Sequence, residues 1–302
     1  MDTSYIIKLI YLLTVCVGVP GLIGNIIAFM GFQKQCKKTP TTFLFQALAV
    51  ADSFLIVAVI SYDVVLFLLD TFPNIFIYAQ ACFVTMEIAI LSSNGVTVVL
   101  AGSRLIAVCL PLRASQLCSK FKVWIYLTGT ILFAICYNIP RILSMFDISP
   151  ISWYTMSYVY RPFVYCIIPV TIITSITIIL IVKLRSINRL RAQMTRSQQQ
   201  SNNATRVLIA VLIVFLICSI PWPVMILVIY INPFTDILFY ENIVWFFHVV
   251  NSSANFIVYT TLSKQYREVV LQLCCCSSQS TSRNVPRPRN VERPGRETHV
   301  QS

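Results

Sequence analysis

The sequence predicts an all-α membrane protein, a bundle of seven transmembrane helices followed by a short amphipathic eighth helix. Three observations lead to this fold class. The 302 residues are 57% apolar or aromatic and only 11% charged, less than half of the roughly 25% that is usual in soluble domains. Seven long apolar stretches follow one another along the chain. The positive charge is concentrated in every second link between them.

Each apolar stretch is long enough to cross a bilayer, because a spanning helix requires about 20 mostly apolar residues. The backbone in lipid must satisfy its own hydrogen bonds, which favours helices. A strand barrel would show alternating segments of about 10 residues, and the sequence has none. The predicted spans, numbered one to seven in chain order, are 5–31, 42–69, 79–109, 123–146, 157–183, 206–231 and 240–262.

The distribution of Lys and Arg predicts the orientation in the membrane. Of these 23 residues, 20 lie in four segments on one side of the predicted bundle, namely 32–41, 104–122, 183–206 and the tail from 263. Cytoplasmic loops carry the excess of Lys and Arg, so we expect a plasma-membrane protein with an extracellular N-terminus and a cytoplasmic C-terminus. The net charge of +12 suits anionic membrane lipid and an acidic protein partner, and does not indicate nucleic acid.

The chain divides into three predicted parts. Residues 1–262 form the seven-helix domain. Residues 263–276 carry apolar residues at helical spacing, which is typical of a helix lying on the membrane surface. Residues 277–302 are rich in Ser, Arg and Pro and are predicted to be a disordered cytoplasmic tail. The second part ends in three adjacent cysteines, which are predicted S-palmitoylation sites: Cys274, Cys275 and Cys276.

Polar residues near the middle of the spans form the first candidate site. Asp52 lies in span two and Ser93 in span three, and Asn251 and Asn255 lie in span seven. Ionisable groups inside a membrane are costly and indicate function. Hard oxygen ligands of this kind could hold a small hydrated cation or a water cluster near Asp52. The alternative is a buried acid, neutral or hydrogen-bonded, that only fixes helix packing.

Two further acids, Asp63 and Glu87, lie in the outer half of the predicted bundle. Asp63 is eleven residues after Asp52, which corresponds to about three helical turns toward the outside. Two acids that face an extracellular cavity would suit a ligand with a positive charge. The alternative is that they pair with Arg141 or Arg161, which are also predicted to lie on the outer side.

Aromatic and proline residues mark spans six and seven. Trp222 and the run WFFH at 245–248, which ends at His248, could line a ligand cavity, with helix packing as the alternative. A single histidine does not indicate a metal site. Pro221 removes a backbone donor and is expected to bend span six.

The sequence contains none of the motifs that indicate an enzyme. The patterns GxxxxGK[ST], HExxH, GxSxG and CxxC are all absent, although each would mark a particular chemistry. Span seven has no lysine, which excludes a retinal Schiff base there. We therefore expect a protein that is not an enzyme and has no cofactor, apart from a cation at Asp52.

Short motifs along the spans resemble those of rhodopsin-class G-protein-coupled receptors. Span two contains LAVAD, which ends at Asp52, and span three ends in SRLIAVCLPL (103–112). Span six contains FLICSIP (215–221), and span seven contains NSSANFIVY (251–259). The pieces occur in the order and on the helices that the family requires. Together with CYNIPRIL (136–143), they look most like invertebrate FMRFamide and related neuropeptide receptors.

The resemblance implies roles for individual residues. Arg104 would contact the G protein in the active state, with Tyr259 moving toward it, and Phe215 and Pro221 would belong to the pivot of helix six. The links 113–122 and 185–206 would flank the cleft that receives the G protein. The residues of the polar site would form the family's sodium pocket: Asp52, Ser93, Asn251 and Asn255.

Several positions depart from the family pattern. Ser103 stands where an acid usually restrains the arginine, and its loss removes one ion pair, so we expect elevated basal activity. Ser219 occupies the usual position of the helix-six tryptophan, and Phe256 replaces the helix-seven proline. Cys82 is the only cysteine near the outer surface, so no disulfide between outer loops is predicted. Met86 stands where amine receptors have an aspartate, which disfavours a monoamine ligand.

The resemblance implies a receptor that converts binding of an extracellular ligand, expected to be a short amidated neuropeptide, into activation of a heterotrimeric G protein. A rival within the same fold is a chemosensory receptor for a small molecule. A transporter or channel would also contain intramembrane acids. The sequence has neither the inverted repeats nor the pairs of broken helices that are typical of transporters.

Overall fold

The computed structural model describes residues 3–34, 39–69, 76–144, 146, 160–189, 196–232, 236–263, 266–268 and 270–271, and the regular elements within them are all helical. A π-helical turn (Phe163–Ile167) precedes α6. The α-helices, numbered in chain order, are α1 (Thr3–Lys34), α2 (Pro40–Leu69), α3 (Phe76–Cys109), α4 (Pro111–Leu117), α5 (Lys120–Ser144), α6 (Ile168–Arg189), α7 (Arg196–Cys218), α8 (Pro221–Ile231) and α9 (Ile237–Leu262).

The predicted membrane helices are present. Six helices in the described ranges are long and apolar enough to cross a bilayer, with α7 and α8 together forming one of them. The 26-residue α9 is the seventh member, and it closes the bundle by packing against α1, α2 and α7. Its inward face is less apolar because it carries five buried polar residues: Asn242, Asn251, Ser252, Ser253 and Asn255. The prediction of a seven-helix membrane bundle is confirmed.

The outward surface of the bundle is apolar. Large exposed side chains include Leu12 of α1 (59%), Phe133 of α5 (54%) and Ile178 of α6 (57%). In water such a surface would drive association, whereas lipid tails solvate it without cost. The chain is therefore a multi-pass membrane protein.

Helix α3 lies at the centre of the bundle. Of its most apolar stretch 72% is buried inside the protein, compared with 17% for α1 and 22% for α5. It packs against α2, α5, α6 and α7. An inward side chain of α3 therefore meets several other helices, and α3 contributes to each of the polar groups described below.

Two apolar cores lie on either side of a polar layer. On α2, Leu48 belongs to one core and Leu55 to the other, and Asp52 lies between them. We name the two halves of the bundle after buried charged residues of α3. The Arg104 half contains the core of Leu48, and the Glu87 half contains the core of Leu55.

Helix α1 approaches α9 closely beside the polar layer. A Cβ atom at Gly21 would lie only 2.9 Å from the Cα atom of Ser253, so no larger residue fits without a shift of the backbone. Asn25 of α1 is also close to α9, and its Nδ2 donates a hydrogen bond of 3.1 Å to the carbonyl oxygen of Ser252. The two helices are thereby held side by side.

The predicted sixth span, 206–231, is interrupted rather than continuous. Helices α7 and α8 are separated by a turn at 219–220. Pro221 has no N–H to donate to the carbonyl oxygen of Ile217, and the N–H of Ile220 donates to that oxygen instead, at 3.2 Å. This tighter i→i−3 bond is typical of a 3₁₀ turn. The expected bend at Pro221 is thus a break in the helix.

Helix α9, in contrast, runs without interruption. It begins after Asp236, whose side chain accepts a hydrogen bond from the N–H of Phe239 and so satisfies one of the free donors of the first turn. Phe256 stands in its middle and keeps the backbone donor that a proline would remove. A Cβ atom at Gly24 would lie 2.8 Å from the Cβ atom of Phe256, so this side chain packs against the bare backbone of α1.

Two local elements were not predicted from the sequence. Helix α4 forms in the link after span three, and Pro111 lies in its first turn, a position that proline favours. The π-helical turn before α6 has Pro162 at its N-cap. Each of these two elements thus has a proline at its start.

Only part of the predicted eighth helix is described, and its residues 266–268 and 270–271 are helical. Tyr266 is buried at 1% exposure and Val270, four residues later, packs against the same core, whereas Leu271 is 62% exposed. Burial also raises the pKa of the Tyr266 phenol. The helix is therefore amphipathic. Cys274, Cys275, Cys276 and the tail 277–302 lie outside the described residues.

Candidate functional site

Three groups of buried polar residues lie along α3. Glu87 belongs to the first, Ser93 to the second and Arg104 to the third, and all three residues are less than 8% exposed. Glu87 and Arg104 are 17 residues apart, or about 25 Å along a helix axis. One straight central helix therefore connects the two halves of the bundle through its polar layer.

The Asp52 cluster, in the polar layer, consists of Asp52, Ser93, Ser252 and Asn255. The Oδ1 atom of Asp52 accepts a hydrogen bond from Ser93 Oγ at 2.6 Å and another from Ser252 Oγ at 3.1 Å. Its Oδ2 atom accepts one from Asn255 Nδ2 at 2.6 Å. Asp52 has no exposed surface. This fully buried carboxylate thus joins α2 to α3 and α9.

Three of the four residues predicted for this site meet in the cluster, and Asn251 does not bond to it. Asn251 is buried at 8% exposure, but no hydrogen bond joins it to Asp52 in the described part of the chain. Ser252 takes that place because it lies on the same helix face as Asn255, three residues away. Successive helical residues differ by about 100° in direction, so Asn251 points elsewhere.

The donor atoms of the Asp52 cluster suit a small hard cation. Carboxylate and hydroxyl oxygens are the ligands that such ions prefer, and both serine Oγ atoms lie within 3.1 Å of the Asp52 carboxylate. The amide oxygen of Asn255 is buried and has no hydrogen-bond partner among the described residues. These residues fit a sodium ion.

The Arg161 cage, in the Glu87 half, is formed by one guanidinium, two carboxylates and three aromatic rings: Arg161, Glu87, Glu241, Phe83, Trp222 and Trp245. Arg161 lies just before the π-helical turn and is 4% exposed. Its Nε atom is 3.0 Å from Glu87 Oε1, and its Nη1 atom is 3.2 Å from Glu241 Oε1. The two acids come from α3 and α9, so the guanidinium links three parts of the bundle.

Aromatic rings surround the same guanidinium. Its Cζ atom lies 4.9 Å from the ring centroid of Trp245, 5.1 Å from that of Trp222 and 5.4 Å from that of Phe83. All three distances are within the roughly 6 Å at which a cation is attracted to a ring face. A second guanidinium, that of Arg141, lies 4.4 Å from the centroid of Phe83.

Several donors of the cage have no acceptor among the described residues. They are Arg161 Nη2, Trp222 Nε1 and Trp245 Nε1, all buried. A buried donor without a partner costs about 1–3 kcal/mol, and a group of them in one place requires an explanation. The cage therefore offers hydrogen bonds that the described part of the protein itself does not use.

Three of the four residues predicted for ligand binding lie at the cage. Glu87 and Trp222 are members, and the ring centroid of His248 is 6.3 Å from that of Trp245 in a stacked arrangement. Asp63 lies elsewhere, beside Thr14 of α1. Of the two alternatives left open for Glu87, the structure places it in an ion pair with Arg161.

The sequence prediction missed Glu241 and Trp245 as members of this site. Their spacing was the available signal, because residues of α9 at intervals of four and three share one face. The inward face of α9 carries six polar or aromatic residues in this pattern: Glu241, Trp245, His248, Ser252, Asn255 and Tyr259. The same face therefore supplies the cage at one end and the Asp52 cluster at its middle.

Arg104 is buried at 7% exposure, and its Nε atom has no hydrogen-bond partner among the described residues. The neighbouring Ser103 does not restrain it, since Ser103 Oγ donates to the carbonyl oxygen of Leu100 at 2.8 Å. No carboxylate forms a salt bridge with Arg104 in the described ranges. The arginine of the predicted coupling motif thus lies without an acidic partner there.

A titratable thiol lies near Arg104. Cys118, at the end of α4, donates its Sγ–H to the carbonyl oxygen of Ser103 at 3.8 Å. Burial raises the pKa of the Cys118 thiol, and the opposing effect of Arg104 and Lys122 is smaller. The thiol therefore stays neutral and does not replace the missing acid.

The other residues predicted for activation lie near the same half. Tyr259 is 1% exposed and is packed edge-on against Phe32 and Phe45, at centroid distances of 5.3 Å and 5.2 Å. Phe215 is buried, and its carbonyl oxygen accepts a bond of 2.7 Å from Ser219 Oγ directly before the break at Pro221. Tyr259 is thus held by rings of α1 and α2 rather than by Arg104.

Comparisons with known proteins agree with this architecture. A family model described as "Serpentine type 7TM GPCR chemoreceptor Srw" matches residues 142–277. An FMRFamide receptor of Drosophila melanogaster is 24% identical over 84% of this chain and 52% of its own length. A pinopsin of Columba livia is 27% identical over 45% of this chain and 41% of its own length. The chain thus spans about half the length of the curated relatives it matches.

These likenesses and the bundle lead to the same class. Six apolar membrane-length helices and the polar α9 pack around a central α3, and the motifs of the class lie on the helices where they were predicted. The chain is a multi-pass helical membrane protein that resembles the G-protein-coupled receptors.

Proposed function

We propose that the protein is a plasma-membrane receptor that converts binding of an extracellular ligand, a short amidated neuropeptide, into activation of a heterotrimeric G protein. One observation carries this proposal. Helix α3 has a charged aromatic cage at Glu87 and, about 25 Å away, a buried arginine at Arg104 that has no acidic partner among the described residues. Binding at one end can thereby change the exposure of a charge at the other.

The Arg161 cage suits a peptide amide because of its unused donors. The two indole N–H groups of Trp222 and Trp245 are buried and have no acceptor in the described part of the chain, and a peptide backbone supplies carbonyl oxygens at short intervals. Aromatic side chains of such a peptide would add ring contacts to those that Phe83 already makes. The likeness to an FMRFamide receptor supports a peptide of this kind.

The Arg104 half suits the G protein. Most of the positive charge lies in the segments that follow this half, and positive charge is typical of the cytoplasmic side. A guanidinium without an acid can donate to carbonyl oxygens of an inserted partner. The links 113–122 and 185–206 would flank that cleft, and anionic lipid and palmitoylation at Cys274, Cys275 and Cys276 would hold the tail at the membrane.

Activation would proceed as a shift between two packed states. The break at 219–220 allows α7 to move at its Arg104 end while α8 stays against α9. Tyr259 would leave the rings of Phe32 and Phe45 and move toward Arg104. A sodium ion at the Asp52 cluster would favour the resting state, because it adds ligand bonds between α2, α3 and α9.

The test is a G-protein dissociation assay in cells that express the chain, with a library of amidated peptides. We expect a dose-dependent response that is lost in Arg104→Ala and retained in Lys8→Ala, which removes an exposed positive charge at the other end. Surface expression of each variant is measured in parallel. A response that survives in Arg104→Ala would contradict the role of that arginine, and silence from well-expressed receptor would contradict the peptide ligand.

A second candidate is a chemosensory receptor for a small molecule. The match of residues 142–277 to a chemoreceptor family favours it, since that segment contains Arg161, Trp222 and Trp245 of the cage. The same assay, with a set of water-soluble small molecules, separates the two. A response to a small molecule that Trp222→Ala abolishes, with no response to any peptide, would establish this alternative.

A further inference from the structure

We propose that the Arg161 cage is a guanidinium-binding subsite for an external ligand. In the structure the chain's own Arg161 side chain occupies this subsite, and the guanidinium of the ligand replaces it. The inference rests on the proposed function, because it assigns the chemistry by which a ligand enters that site. It applies to peptides with an arginine side chain and to small guanidines alike.

The composition of the cage matches a guanidinium in particular. Carboxylates approach the edge of the Arg161 guanidinium, at 3.0 Å from Glu87 and 3.2 Å from Glu241. Rings lie within 5.4 Å of its central carbon. A planar cation with donors along its edge and weakly hydrated faces suits both kinds of contact, whereas an ammonium group suits neither as well.

Because Arg161 is attached to the backbone, its guanidinium does not form all the hydrogen bonds that the cage offers. Its Nε atom is 3.0 Å from Glu87 Oε1, yet neither atom has a hydrogen-bond partner among the described residues, and Nη2 has none there either. The contact with Glu87 is thus an ion pair without hydrogen-bond alignment. A guanidinium that is free to rotate can align its parallel N–H groups with a carboxylate and form the stronger two-bond contact.

The partial exposure of Glu241 and the balance of charge permit exchange at the cage. The Glu241 side chain is 17% exposed, compared with 6% for Glu87, so solvent reaches the cage beside α9. When an external guanidinium replaces that of Arg161, both carboxylates keep a cationic partner. Arg161 lies at the start of the helical segment that the structure describes from residue 160, so its side chain can leave the cage by rotation about its own bonds while the helix stays in place.

The test uses Arg161→Ala, which removes the occupant, with N-ethylguanidinium as the probe and N-ethylammonium as the matched control cation. Thermal unfolding of the full chain is measured in lipid nanodiscs. We expect Arg161→Ala to unfold at lower temperature than the wild type. N-Ethylguanidinium should raise its midpoint by roughly 3 °C at ten times the dissociation constant, with no comparable rise for the wild type or with N-ethylammonium.

Two further variants show where the probe binds. Arg141→Ala also removes a guanidinium beside Phe83 but leaves the cage occupied, so we expect no rescue. The double variant Arg161→Ala, Glu87→Gln should lose most of the rescue because one carboxylate is gone. Rescue that is equal in the wild type, in Arg141→Ala or in the double variant would overturn the proposal.

The readout does not depend on signalling, so failure of this inference is distinguishable from failure of the proposed receptor function. If Arg161→Ala does not fold, its yield is compared after expression with and without N-ethylguanidinium. A several-fold increase specific to the guanidinium supports the subsite, and no increase counts against it. A subsite without any signalling response would leave the guanidinium site established and the receptor function rejected.

Discussion

The Asp52 cluster and the Arg161 cage stabilise a buried charge in different ways. Both bury a charge between α3 and α9, where an uncompensated charge is very costly. Within the ranges that the structure describes, the partners of Asp52 are neutral, three short side chains at 2.6 to 3.1 Å. Arg161 there has two carboxylates and three rings, and it retains donors without acceptors.

The difference indicates which contact is permanent and which is exchangeable. Serine and asparagine side chains lose little conformational freedom when they are fixed, whereas an arginine loses roughly 2 kcal/mol of rotamer entropy. Both oxygens of Asp52 accept hydrogen bonds, so the cluster fixes three helices to one another. The cage holds its arginine mainly by charge and leaves hydrogen bonds unmade, which favours exchange with a ligand.

The largest effect should come from removing a carboxylate of the cage. Glu87→Gln leaves the Arg161 guanidinium with one acid, and breaking a buried ion pair is strongly destabilising. We expect a loss of about 3 kcal/mol in the free energy of unfolding, measured by denaturation in nanodiscs. The matched change Glu241→Gln should cost about 1 kcal/mol, because its more exposed side chain is screened by solvent. The reverse order would show that Glu87 is not the main partner.

The next effect concerns the approach of α1 to α9 beside the Asp52 cluster. Gly21→Ala places a Cβ atom against the backbone of Ser253, so α9 must shift and we expect a loss of about 2 kcal/mol. Gly129→Ala is the control, because nothing lies within 4 Å of its added Cβ atom. It should be neutral or gain about 0.5–1 kcal/mol from helix propensity. Equal melting temperatures of the two variants would contradict close packing at Gly21.

A smaller loss should follow from removing one neutral partner of Asp52. Asn255→Ala deletes one hydrogen bond to a charged group that keeps two serine donors, so we expect a loss of about 1.5 kcal/mol. Asn251→Ala, at a buried position with no bond to Asp52, should cost less. Sodium titration of thermal stability sharpens the test. We expect sodium to stabilise the wild type and Asn251→Ala, and to have a weaker effect on Asn255→Ala. Identical sodium responses in all three would argue against the cluster as the ion site.

The smallest effect concerns Arg104, a third buried charge that has neither kind of partner among the described residues. Ser103→Asp introduces an acid beside it, which should stabilise the resting state by about 1 kcal/mol and lower basal G-protein activation about fivefold. Ser103→Asn, of similar size and without charge, is the control. Basal signalling that is unchanged in Ser103→Asp would contradict the expected lack of restraint in the wild type.

The sequence predicted the fold well because the pattern of apolar residues determines which helices form, and the bilayer requires them to be helices. It also brought Asp52, Ser93 and Asn255 together, since short polar side chains at mid-depth have few other partners. The cage was harder to predict. Arg161 and Glu87 are 74 residues apart, and a long side chain can reach any of several acids, so both the pairing and the ligand role stayed open.

Other differences have equally specific causes. Glu241 was missed because it lies one residue after the predicted start of its span, where an acid is not costly and does not stand out. Asp63 was grouped with Glu87 by depth alone, and depth does not fix which way a helix faces. The break before Pro221 depends on how the hydrogen bonds of Ile217 and Ile220 rearrange, which a proline in a sequence does not specify.

The unbroken helix α9 has a mechanical consequence. Glu241 and Tyr259 lie on one face and are 18 residues apart, or about 27 Å along a rod, with Phe256 between them in place of a proline. A helix without an internal break has no point at which a twist applied to one end can be absorbed. A rotation of α9 that begins when a cation binds at Glu241 would therefore also move Tyr259, because α9 rotates as one rigid helix and does not bend at a hinge.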